Sequence, residues 1–211
     1  MTSNSNSLLY ISVSPTGDYS TSRNVAKEYL NVWKLAHPGG VITERDLVNS
    51  PIPHLDGEAI YANYVPEHEQ SPSMKEKLAF RMDLIKELTQ VDEILVSTPL
   101  WNWSIPSVLK SYIDQIVVTG VLDDSNQGLK GKKVTFVVAQ GGSYKVGTPK
   151  SGWDHATGYL EHVARALGAV DVEMILAEFT LAGVAPGMDF LIEAKARSID
   201  EAKIAARKRA A

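Results

Sequence analysis

The sequence predicts an α/β chain: a doubly wound, three-layer sandwich with a five-stranded parallel sheet of order 2-1-3-4-5 between two helical layers. Strand and helix patterns alternate along the chain, as βαβ crossovers require, and strand twist makes such crossovers right-handed. The third and fourth strands read as apolar runs, Ile94-Leu95-Val96 and Val134 to Ala139, expected of parallel strands covered on both faces. Three strand ends run into loops of unusual composition, which is where an open α/β sheet binds its ligand.

Residues 8–13, Leu-Leu-Tyr-Ile-Ser-Val, form the first strand, which Ser14-Pro15-Thr16-Gly17-Asp18 ends. The first helix follows, with apolar Val25, Ala26, Tyr29, Val32, Trp33 and Ala36 recurring at three and four residues until Pro38-Gly39-Gly40 stops it. A second strand covers residues 41–47. Residues 49–70 hold prolines and polar residues without clear period and read as a surface excursion of the kind that serves a site. Ser71 then caps a helix with Pro72 at its first position and a stripe of Met74, Leu78, Met82, Ile85 and Leu88. After the third strand comes a helix patterned by Val108, Leu109, Tyr112, Ile113, Ile116 and Val117. The fourth strand leads to a helix at about 157–167, a fifth strand at about 170–176, and a closing helix from about Asp189 to Ala210. Lys203, Arg207, Lys208 and Arg209 suit that helix's C-terminal dipole.

The chain of 211 residues suits one domain spanning residues 1–211, with a flexible tail at residues 1–7. A net charge of −4 gives no basic field for nucleic acid, and is too mild for a carrier that docks through an acidic face. With no cysteine, thiol catalysis, disulfides, cysteine-ligated zinc and ordinary iron–sulfur clusters are excluded, so redox chemistry would need an organic cofactor. The opening residues lack a basic n-region and the apolar stretch after them is short, so the expectation is a cytoplasmic protein with no membrane partner.

In the first loop, Ser14, Ser20, Thr21 and Ser22 can surround a phosphate at a helix N-terminus, where unpaired N–H groups and the dipole favour an anion. The plain alternative is helix capping, which one serine would satisfy. Gly-x-x-x-x-Gly-Lys-Ser/Thr and Gly-x-Gly-x-x-Gly are both absent, which demotes nucleoside triphosphates and tightly held NAD. The second loop, Pro99-Leu100-Trp101-Asn102-Trp103, sets flat aromatic surface beside a hydrogen-bonding amide and suits a planar heteroaromatic ligand; it reads equally as a Pro-bracketed turn with packing tryptophans. The third, Gln140-Gly141-Gly142-Ser143, allows close backbone approach or is a plain turn. His155 and His162 share a helix face, yet no third metal ligand is evident, so a surface or interface role is preferred and no metal is expected.

These residues resemble the FMN-dependent NADH azoreductase family of flavodoxin-like quinone reductases, over nearly the whole chain. The first-loop pattern is matched by Ser14-Pro15 and Ser20-Thr21-Ser22, and the central signature by Pro99 to Trp103 followed by Leu109-Lys110-Ser111-Tyr112-Ile113-Asp114. The resemblance implies that Ser14, Ser20, Thr21 and Ser22 hold the FMN phosphate. It also implies that Pro99, Leu100, Trp101, Asn102 and Trp103 line the isoalloxazine, with Asn102 at its edge, and that Gln140, Gly141, Gly142 and Ser143 meet its pyrimidine end. It implies ping-pong transfer of two electrons from NADH or NADPH to a quinone or azo compound, with the flavin rather than a side chain carrying the chemistry. It further implies a homodimer whose partner loops complete the pocket. Apolar Trp33, Phe80 and residues 61–65 read as interface or lid, or equally as core. The chain departs from the family's common Ser-Arg-Gly-Gly at Ala139-Gln140, losing a hydroxyl and a positive charge that would favour a reduced, anionic flavin. A flavodoxin-type electron carrier, or an FMN-binding sensor without NADH turnover, is the alternative.

Overall fold

The computed structural model describes residues 6–211. Five parallel strands, β1 (Ser7–Ser12), β2 (Val41–Asp46), β3 (Glu93–Pro99), β4 (Lys133–Ala139) and β5 (Asp171–Ala177), pair in the order β2-β1-β3-β4-β5. Helices α1 (Thr21–Ala36) and α6 (Ile192–Ala210) cover one face; α3 (Pro72–Thr89), α4 (Ser107–Ile116) and α5 (Thr157–Ala166) cover the other, with the short α2 (Gly57–Ala62) leaning on α3. Residues 1–5 of the expected flexible tail lie outside the described residues. Ser7 is already in β1, its N–H and hydroxyl donating to Asp92 at 2.8 and 2.7 Å.

The two-residue period of each strand sorts its side chains between two cores. Leu8 and Tyr10 of β1 join Val25, Tyr29 and Trp33 of α1 and Ala202 and Ala206 of α6; Leu9, Ile11 and Val13 join Leu84 and Leu88 of α3 and Leu109 and Tyr112 of α4. β3 and β4 are central and almost wholly buried, whereas the edge strand β2 carries Thr43, Glu44 and Arg45. β3 runs past the expected apolar run through Ser97, Thr98 and Pro99, paired with Val137, Val138 and Ala139. The next residue, Leu100, donates its N–H to Ala139 O at 2.8 Å, so the tryptophan segment starts at the sheet's C-terminal edge.

Several local readings are corrected. Residues 49–70 contain α2, started by Asp56 accepting the Ala59 N–H at 2.8 Å, and a 3-10 turn at Glu67–Glu69. The buried stripe of α3 is Arg81, Leu84, Ile85 and Leu88, while Met74, Leu78 and Met82 are only half-buried. Arg81, 3% exposed, donates to the carbonyls of Ala59, Asp114, Gln115 and Val117 at 3.0 to 3.3 Å. A cation thus satisfies the orphan carbonyls and negative dipole end of α4, a role that periodicity cannot assign. Ala36 and Val117 are exposed, the latter beyond the end of α4. Trp33 is core, whereas Phe80, Tyr61 and Tyr64 are exposed. No helix among the described residues is long and apolar enough to cross a membrane.

Candidate functional site

The chain leaves β1 towards one face and β3 towards the other, so the loops that follow them part and open a crevice at the sheet's C-terminal edge. A cleft of about 360 Å³ there is lined by Ser14, Ser20, Thr21 and Ser22 after β1, by Pro99, Leu100 and Trp101 after β3, and by Gly141 after β4. Sequence reasoning missed Thr16, Tyr19 and Ala139 in these loops, and also Thr180, Leu181 and Val184 from a fourth segment after β5. The only signal for that last segment was its position after a fifth strand.

In the serine loop, one hydroxyl caps the helix and other donors are left without partners among the described residues. Ser20 accepts the Arg23 N–H at 3.3 Å as the N-cap of α1. The N–H groups of Thr21 and Ser22 find no acceptor among the described residues, and the hydroxyls of Ser14 and Ser22 lie within the loop, bonded only to Thr16 at 3.0 Å and Ser20 at 3.2 Å. From below, Arg23 fixes the loop by donating Nε to Ser14 O at 2.9 Å and Nη2 to Asp46 at 2.9 Å. Burial works against charge on Asp46, but the N–H groups of Val48 and Asn49 and the Arg23 guanidinium outweigh it and hold the carboxyl below the usual range.

The tryptophan loop is a two-residue hairpin. Trp101 and Ser104 exchange both backbone hydrogen bonds, at 3.0 and 2.9 Å, around Asn102 (φ 47°) and Trp103 (φ 65°). Positive φ at both central positions is the mark of a type I′ turn, for which Asn-Gly is the preferred pair. Asparagine tolerates this region; a tryptophan there carries strain of roughly 1 kcal/mol or more. Two contacts from residues 153–155 hold it. The Trp153 ring meets that of Trp103 edge-on, centroids 5.5 Å apart and planes at 82°, and the His155 N–H donates to Trp103 O at 2.8 Å.

The structure separates some of the expected site residues. Asn102 lines not the serine-bearing cleft but a neighbouring one of about 660 Å³, with Ile105, Lys110, His155 and Tyr159, and Trp101 lines both. Trp103 lines neither and packs on Trp153. His162 is exposed on α5, whereas His155 precedes that helix.

In the glycine loop the carbonyls and N–H groups part company. The carbonyls of Gln140, Gly141 and Gly142 accept the N–H groups of Thr180, Leu181 and Phe179 at 2.9, 3.2 and 3.3 Å, while the Gly141 and Gly142 N–H groups have no acceptor among the described residues. A Cβ on Gly141 would come within 2.7 Å of the Leu181 side chain, so the glycine lets that side chain of the post-β5 segment lie close against the loop. The side chains of Gln140 and Ser143 are committed elsewhere: Gln140 to Asp154 at 2.7 Å, and Ser143 to the buried Glu178 at 2.5 Å, which Lys145 also reaches.

A family described by the flavodoxin-like fold matches residues 6–208. An FMN-dependent NADH:quinone oxidoreductase of Frankia casuarinae is 45% identical over 208 residues, 96% of this chain and 98% of that one. The chain belongs to the flavodoxin-like FMN-dependent NADH:quinone oxidoreductase family. A member from Frankia alni is 41% identical over 207 residues, covering 97% of this chain and 98% of its own. The crystal structure of an FMN-dependent NADH-azoreductase from Bacillus anthracis in complex with FMN shares the fold, with a TM-score of 0.82 at 21% identity over 98% of this chain and all of that one.

Proposed function

We propose that this chain is an FMN-dependent NADH:quinone oxidoreductase that holds its FMN in the four-segment cleft. The observation that carries this reading is the set of donors without an acceptor among the described residues: the Thr21 and Ser22 N–H groups at one end of the cleft and the Gly141 N–H after β4, with that of Gly142 next to it in the chain. A phosphate dianion needs several donors and no obligatory cation at a helix N-terminus, which is the serine loop's chemistry. The carbonyl oxygens and ring nitrogens of a flavin pyrimidine need backbone donors, which the glycine loop offers, and Trp101 supplies an aromatic wall between. FMN, when bound, supplies two-electron transfer from NADH to an acceptor, so the protein's task is to bind, orient and tune.

Trp101 forms a wall common to both clefts, so an acceptor in the neighbouring space, beside Asn102, Lys110 and Tyr159, would lie against the same indole. We assign that space to the acceptor, quinones first and azo compounds second, and expect nicotinamide and acceptor to take turns in ping-pong order. NADH is the preferred donor on the relatives' names, and NADPH is to be compared with it. A homodimer is proposed on the family resemblance, with the exposed Tyr61, Tyr64 and Phe80 as the apolar surface it would cover.

Anaerobic NADH titration of the FMN-reconstituted protein tests the reading. Rapid bleaching of the flavin absorbance, reversed by menadione, is expected. Bound flavin that NADH leaves oxidised would instead favour a carrier or sensor, and failure to bind FMN would overturn the assignment of the cleft.

A further inference from the structure

We propose that Gln140 is a positioning residue for the tryptophan wall and acts through Asp154; this rests on the cleft being the flavin and acceptor site. Gln140 is 1% exposed and bonded at every backbone group: its N–H donates to Ala177 O at 2.8 Å, and its carbonyl accepts the Thr180 N–H and hydroxyl at 2.9 and 3.0 Å. It is therefore a rigid point. From it the side-chain amide donates to Asp154 Oδ2 at 2.7 Å.

Asp154 does not need this bond to start α5. Its other oxygen already accepts the N–H groups of Ala156 and Thr157 at 2.8 and 2.9 Å. Burying an amide against a carboxylate has a desolvation cost that an apolar side chain of similar size would avoid. What the bond fixes is the position of the neighbours on either side of Asp154. Trp153 packs edge-on against Trp103, and His155 donates to the Trp103 carbonyl. Trp103 has φ 65°, a conformation its own side chain disfavours, so the turn depends on restraint from outside itself. The hydrogen-bonded pair across the same turn places Trp101, the wall common to both clefts. Gln140 thus ties the rigid end of β4 to the strained turn after β3. No contact in this chain of restraints passes through the serine loop.

Two variants and two readouts test this. Gln140→Met removes the donor at nearly constant volume; Asp154→Ser keeps a short oxygen for the Ala156 and Thr157 N–H groups but cannot span to Gln140, and it decides the matter alone should Gln140→Met fail to fold. The first readout is the far-ultraviolet circular-dichroism couplet of the closely spaced Trp103 and Trp153 indoles, recorded on the full chain before FMN is added and assigned by its loss in Trp153→Phe. The second is steady-state kinetics with menadione beside FMN affinity by fluorescence titration. The couplet is expected to fall at least about twofold, and the menadione KM to rise about tenfold, or ~1.4 kcal/mol, while FMN affinity changes less than about twofold. A couplet that stays at its wild-type amplitude in the folded variants overturns the proposal, as does a parallel loss of FMN affinity, which would mark general loosening of the cleft. If the wild-type protein does not oxidise NADH, the functional reading fails separately, because the couplet needs neither flavin nor turnover.

Discussion

The serine loop and the tryptophan turn, the latter through Trp101, border one cleft and are stabilised in different ways. In the serine loop the order is mostly local: Ser20 caps its own helix, its hydroxyl meets that of Ser22 two residues on, and Arg23 reaches back to Ser14, with its pair to Asp46 of β2 the longer-range support. The tryptophan turn is locally disfavoured, with Trp103 at a positive φ, and is restrained by residues some fifty positions away in sequence, Trp153 and His155. A loop built on a helix N-terminus needs no strain, because the helix already presents its free N–H groups there. An aromatic wall must be placed by packing, since nothing in the local backbone fixes where an indole stands. On the function proposed above, substitutions in the two regions are expected to alter binding and specificity separately.

The sharpest way to separate the two regions is to remove the phosphate. Riboflavin is expected to bind at least about 100-fold more weakly than FMN, because charge-assisted hydrogen bonds contribute about 1.5–3 kcal/mol each; fluorescence titration measures the ratio. Equal affinity would mean that the serine loop holds no phosphate. FMN at about 100 times its dissociation constant should stabilise the fold by about 2.7 kcal/mol, raising the melting temperature by roughly 5–10 °C.

Next in size is Ser20→Asp, which keeps an N-cap as good as serine but sets a carboxylate against the phosphate. The FMN-free chain should keep its stability within about 0.5 kcal/mol, while FMN affinity drops about tenfold or more. A large loss of stability without FMN would show that the loop is less self-sufficient than its hydrogen bonds imply.

At Trp103 the comparison between alanine and glycine should reverse its usual sign. Trp103→Ala keeps a Cβ in the left-handed region, whereas Trp103→Gly removes it, and each loses the same ring contact. Chemical denaturation should find the glycine variant more stable than the alanine variant by about 1 kcal/mol. If alanine is the more stable, the turn is unstrained.

The smallest effect is the pH response beneath the serine loop. The folded-state pKa of Asp46 is depressed, so its contribution to stability is complete above the unfolded value of about 4 and is lost as pH falls through the lower folded value. The stability difference between wild type and Asp46→Asn should therefore be constant near neutrality and shrink below about pH 4. A difference that grows on acidification would contradict the depressed pKa.

Much of this was legible in the chain. The parallel sheet and the two helical layers follow from alternation and from the apolar runs of β3 and β4, because burial on both faces demands such runs. The serine and glycine loops were legible because hydroxyls near a helix start and paired glycines have few other uses together. The I′ turn at Asn102 and Trp103 was not, since Asn-Trp lacks the glycine that signals it. Nor was the buried Arg81, whose acceptors are backbone carbonyls that no residue pattern encodes. Gln140 read as a loop residue facing a ligand, and only its distance to Asp154 shows where its side chain goes.

The sequence by itself determined the fold and the family and marked the hydroxyls beside the first helix start, because periodicity and capping act over a few residues. Only the tertiary structure decided which side chains face the cleft and which brace it. Long-range hydrogen bonds and ring packing outweigh local preference at Trp103 and commit the Gln140 side chain to Asp154.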